Sequence, residues 1–350
     1  MRRFPLRVFA SIVLAWSANA AAAEPVETPG TSSLTTIVVT GEQPGPGLWR
    51  VSKGDHVLWV LGTLSPLPRH MQWRAKEVDE RVGESQEVLL SPSMALTTGL
   101  GFFGQLGLLP SLIGLRNNPD GKTLADVVPA PQYARWSALK ARYIGRSGKV
   151  EKWRPLFAAM ELYENAIDKA GLVQSGQITD VVRKAAKRAG ATLTPVKLEI
   201  ELDDAKIALK EFKHDPIDDG DCFERTLDRI EGDLDTMAAR ANAWASGDLD
   251  ALRALPYTDQ MSVCREAVSA SGVAHRHGLG DVESRVRQSW VDAATVALER
   301  NRSSFALLPM ARLLGDGDYL SGLRSRGYIV QSPEEQAAGE SGATALGIAQ

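Results

Sequence analysis

Cysteine and histidine are scarce here: two Cys and five His among 350 residues. No pair or triplet of them has zinc-ligand spacing, and two cysteines cannot staple a small disulfide scaffold. His275-Arg-His277, with Asp281 and Glu283 nearby, is a local grouping of ligand-type side chains in a glycine-containing turn, and it reads as an exposed polar loop. Phosphate-loop chemistry is missing too, because Gly148-Lys149 lacks the upstream glycine. There is no G-x-S-x-G nucleophile elbow. Gly99-Leu-Gly101-Phe-Phe-Gly104 matches a dinucleotide fingerprint only formally. The preceding strand pattern ends at Leu90 and Pro110 interrupts any following helix, so no cofactor is expected. An excess of positive charge is also absent, with 40 Lys and Arg against 43 Asp and Glu. That balance argues against nucleic acid as a partner. No run is long and apolar enough for a stable membrane span.

What is present begins with targeting. Arg2, Arg3 and Arg7 precede the apolar run Val8–Trp16, and small residues follow to Ala23. This is the layout of a secretory signal peptide over residues 1–23, with the mature chain expected to begin between Ala21 and Glu24. The periplasm is the expected location, with release from the cell as the variant of it. Residues 24–46, rich in Pro, Gly, Ser and Thr, read as a flexible linker or arm. Residues 332–350 are small, polar and acidic and read as a disordered tail.

The body between them, residues 47–331, reads as a single α/β domain. Leu48–Val51 and His56–Leu61 form a hairpin pattern around Ser52–Asp55. Helical periodicity is expected over 72–83, and Glu87–Leu90 reads as a buried strand. Helical patterns follow over 131–144, 153–170 and 175–189, then a strand over 192–196. Helices are expected over 201–212, 222–246, 258–271 and 282–300. The end reads strand (305–308), helix (317–325), strand (327–331). This order implies a central mixed sheet flanked by helices, with a large helical insertion. Ser91–Leu115 contains no charged residue and five glycines. The segment is expected to form two short buried helices bordering whatever cleft opens after the strand that ends at Ser91. The alternatives are a partner groove carrying Phe102 and Phe103, or a segment touching a membrane. Cys222 and Cys264, the two cysteines of an exported chain, are expected to form a disulfide that closes a helical hairpin, with buried free thiols as the alternative.

Leu48-Trp-Arg-Val-Ser-Lys-Gly54 and Leu58-Trp-Val-Leu-Gly-Thr-Leu-Ser65 resemble the opening of the TraB/GumN family. Ala158-Ala-Met-Glu-Leu-Tyr163 and Ala243-Trp-Ala-Ser-Gly-Asp248 are similar to its helical middle. Glu299-Arg-Asn301 and Leu320–Val330 are similar to its C-terminal signature. The resemblance implies an α/β fold and a metal-dependent hydrolase site. That site is built from two Gly-x-x-His motifs, an acid at the end of the second main strand and an Arg. Such a set can hold a divalent metal with positions open for water.

At those positions this sequence has Gly62-Thr-Leu-Ser65, then Ser91, then Pro309-Met-Ala-Arg312, and it keeps the Arg as Arg300. Two hydroxyls and a permanent cation are poor metal donors. Arg312 is expected to pair with Glu87 or to take an anionic ligand. Two readings stay open. One is a catalytically inactive binding or accessory module for a protein or peptide, without metal. The other is a hydrolase or peptidase using displaced groups drawn from Ser65, Glu87, His70 and Arg300.

Overall fold

A computed structural model describes residues 45–174, 176–232, 234–255, 260–315 and 318–339. The signal-like segment and most of the arm lie outside these residues.

The strands are β1 (Leu48–Lys53), β2 (His56–Thr63), β3 (Leu67–Pro68), β4 (Glu87–Leu89), β5 (Ser93–Thr98), β6 (Leu172–Val173), β7 (Thr192–Thr194), β8 (Lys197–Leu202), β9 (Ser303–Pro309) and β10 (Ile329–Gln331). Six of them make a mixed sheet in the order β10-β1-β2-β9-β4-β7. β1 runs antiparallel to both its neighbours, while β2, β9, β4 and β7 are mutually parallel. β1 and β2 are joined by the two-residue turn Gly54-Asp55, with Gly54 at φ +61°, a left-handed position that suits glycine. β2 and β9 read as near-continuous apolar runs because strands on either side and helices on both faces cover them. The α/β class and the mixed central sheet expected from the sequence are therefore present.

The longest helix of the core, Val282–Arg300, packs on β2 and β9 through Trp290, Val291, Ala294, Ala297 and Leu298. The helical insertion has its own small core. Helices Pro155–Lys169, Gly220–Gly232 and Gln260–Ser269 meet around Leu156 and a Cys222–Cys264 disulfide, with Cα atoms 4.7 Å apart. Trp136 packs against Phe223 with ring centroids 5.7 Å apart. The insertion is fastened to the sheet by Trp244, fully buried, whose indole Nε1 donates to the Gly62 carbonyl at 2.7 Å.

Three expectations are corrected. Ser91–Leu115 does not form two buried helices. Its first part is β5, paired in parallel with β8 as a separate two-stranded ribbon, and two short helices follow, Phe102–Leu106 and Leu109–Leu112. Met94, Leu96, Leu100, Leu106, Leu109, Leu112 and Ile113 are all exposed. The backbone of Phe102 and Phe103 is helical, but their side chains lie outside what is described. Second, β8 replaces the start of the helix expected from 201, which begins instead at Ala205. Third, residues 333–339 are helical rather than a loose tail. Gln336 donates to the Leu48 carbonyl at 2.8 Å, and Arg253 pairs with Glu334 at 2.8 Å. Residues 340–350 lie outside the described part.

Candidate functional site

In a parallel sheet, ligand sites form beyond the carboxyl ends of the strands, where loops diverge. The register aligns Gly62 with Leu308 and Thr63 with Pro309, so the two degenerate motifs leave adjacent strands at one sheet edge. Leu89 of β4 aligns with Ala306, which brings Ser91 to the same edge. The fold thus gathers Ser65, Ser91 and the start of the 309–312 motif as the family resemblance requires.

Ser65 and Ser91 line one cleft of about 230 Å³, shared with Thr63, Leu64, Leu67, Val173, Gln174 and the first turn of helix Gln177–Ala189. The Ser65 hydroxyl donates to the Gln174 carbonyl. The lining is neutral, with hydroxyls, amides and aliphatic groups and no charged side chain. Of the uncharged segment 91–115, Ser91 alone lines this cleft, so the segment departs from it.

Arg312 does not line the cleft. Its guanidinium pairs with Glu283 at 2.7 Å and lies over the Tyr319 ring at 5.7 Å. Tyr319 donates to the same Glu283 oxygen at 3.2 Å. Burial, reinforced by the Glu283 carboxylate, pushes the Tyr319 phenol up to about 12. The expected pairing of Arg312 with Glu87 is therefore replaced by one with Glu283.

Glu87 sits at the opposite end of the sheet. It aligns with Ser304 at the start of β9, four residues before Ser91, roughly 13 Å along a strand. Its carboxylate accepts from Thr194 Oγ1 at 2.5 Å, Arg300 at 2.5 Å and Asn301 Nδ2 at 2.7 Å. Burial pushes the Glu87 carboxyl up. The hydrogen bonds from Thr194, Arg300 and Asn301, with the Arg300 charge, outweigh this and hold it below its ordinary value. Glu87 and Arg300 thus form a structural pair far from the cleft, and neither can substitute for a lost cleft ligand. His70 is exposed two residues beyond β3, and His277 Nε2 donates to the Glu211 carboxylate at 3.1 Å on the helical insertion.

Gly62 has a packing reason of its own. A Cβ there would lie 2.6 Å from Met310 Cε and 2.9 Å from its sulfur. The close neighbour of the first motif's glycine is thus the flexible end of Met310 from the second, which must turn aside to admit a Cβ.

The profile of the TraB/PrgY/gumN family matches residues 47–332. The chain belongs to this family. No curated protein and no solved structure matches the chain. For this member of the TraB/PrgY/gumN family, the family's metal can be tested against the donors present. The edge offers two neutral hydroxyls, while the third position carries a guanidinium already paired with Glu283. Among the described residues, no group of three or more His, Cys, Asp and Glu is placed to hold a metal ion. These residues do not fit a divalent metal. The sequence signal for this was already in the motifs, whereas the separation of Glu87 and Arg300 from the cleft required the strand register.

Proposed function

We propose that this TraB/PrgY/gumN member is an exported, non-hydrolytic accessory module that uses the former active cleft to hold a neutral peptide segment. The observation that carries the reading is the sheet edge itself, where Ser65 and Ser91 stand at ligand positions and Arg312 is diverted to Glu283. Hydroxyls and amides around a strip of Leu64, Leu67 and Ile178 suit hydrogen bonding to a peptide backbone with apolar side-chain contact. They lack a group able to activate water. The charge layout of residues 1–23 supports export, and a mature N-terminus between Ala21 and Glu24 is the expected result of N-terminal sequencing.

Calorimetry with Mn²⁺, Co²⁺ and Zn²⁺, alongside a peptidase assay, tests the reading. Wild type should show neither tight stoichiometric binding nor metal-dependent cleavage. The combined change Ser65→His, Ser91→Glu and Arg312→His should introduce measurable affinity. Tight wild-type binding that is lost on changing Ser65 or His70 would establish the hydrolase reading instead.

A further inference from the structure

The exposed apolar segment is unabsorbed by the cleft. β5 and β8 run in parallel with Thr98 opposite Leu202, so both leave the ribbon side by side. β5 continues into the short helices around Leu106 and Leu112, and β8 continues into helix Ala205–His214. The 109–112 helix packs against the 205–214 helix. One tip of the molecule thereby carries two different chemistries. Leu109, Leu112 and Ile113 are 55%, 46% and 76% exposed, and Ile207 is 50% exposed. Beside them a groove is lined by Pro110, Ser111, Lys206, Ile207, Lys210, Lys213 and His214, whose ionisable members are all basic.

Of the acids on the same stretch, Glu201, Asp203, Asp204 and Glu211, two are engaged within the protein. Asp204 caps the 205–214 helix by accepting from the Ile207 amide at 3.0 Å, and Glu211 is paired with Arg276 and His277 at 3.1 Å each. Lys206, Lys210 and Lys213 have no ion pair among the described residues.

We infer that this tip is a peripheral membrane-docking site for an anionic phospholipid surface. Leucine and isoleucine enter the boundary between headgroups and acyl chains, while the lysines meet lipid phosphates. Apolar burial and a basic fringe are the two contributions that hold a protein on an anionic bilayer without a span. A second copy of this chain is the less suitable occupant. A two-fold contact would set Lys206, Lys210 and Lys213 of one copy against the same lysines of the other. The absence among the described residues of any helix long and apolar enough to cross a membrane is compatible with docking at the surface.

Co-sedimentation of the protein as isolated from the producing cell tests this. The vesicles are phosphatidylcholine alone and phosphatidylcholine mixed with phosphatidylglycerol. Wild type should bind the anionic vesicles, more weakly as salt is raised, and bind the neutral ones poorly. Leu109→Asp with Ile113→Asp, and separately Lys206→Glu with Lys210→Glu, should each reduce binding by about tenfold or more. All four positions are exposed, and circular dichroism confirms that the variants remain folded. The variants share the wild-type N-terminus, so the difference isolates the tip from residues 1–23. Equal binding by wild type and both variants, equal affinity for neutral vesicles, or no binding overturns the inference. So does a dimer in light scattering that Ile113→Asp dissolves without any vesicle binding.

Discussion

Gly62 and Glu87 stand at opposite ends of the same sheet and answer to different constraints. Gly62 lies where the family's first motif begins, yet its immediate constraint is steric. Gly62→Ala should destabilise the protein by no more than about 1 kcal/mol, because the flexible end of Met310 that fills the space a Cβ needs can turn aside. Adding Met310→Ala should recover part of that loss in a denaturant-unfolding cycle, and strict additivity would refute the contact. Glu87 is buried and its carboxyl is depressed, so its contribution is present above the ordinary carboxylate pKa. That contribution disappears as pH falls through the depressed folded value. Glu87→Gln should cost about 1–3 kcal/mol at neutral pH and flatten the acid limb of the stability–pH curve. Equal acid slopes for both proteins would contradict the role. Sequence reading offers Glu87 as a possible substitute group for the cleft, and the strand register places it at the other end of the sheet. Position along a strand depends on which strand is opposite, and the partner, β9, is more than 200 residues away.

Helix 282–300 was legible because its periodicity runs through 19 residues. The ribbon was not read from the sequence, although its signal was there. Lys197-Leu-Glu-Ile-Glu-Leu202 alternates with period two, the strand pattern, and was overridden by the helical pattern that follows. The disulfide was expected from the presence of two cysteines in a chain read as exported, and the packing of helices Gly220–Gly232 and Gln260–Ser269 provides its geometry. A Cys222→Ser, Cys264→Ser protein should lose up to about 4 kcal/mol, the chain-entropy value for closing a loop with a separation of 42 residues. Thermal unfolding of both forms measures this. Two alkylatable thiols in oxidised wild type would show that the bond does not form.

At the scale of the molecule, Trp244 links the helical insertion to the sheet. Trp244→Phe keeps one aromatic ring but loses the second and leaves the buried Gly62 carbonyl without its indole donor, which together should cost at least about 2 kcal/mol. Hydrogen exchange should then rise at the ends of β2 and β9 before it rises in the disulfide-closed helices. Uniform exchange would show that Trp244 does not couple the two parts. The sequence by itself determined the α/β class, the hairpin, the long helices, the cysteine pair and the loss of both motif histidines. Those are local patterns of spacing and residue type. Only the tertiary structure decided that β9 inserts between β2 and β4, that Arg312 turns to Glu283, and that the uncharged segment is exposed. Each depends on contacts between distant parts of the chain, and periodicity reports which face of an element is apolar without reporting what covers it.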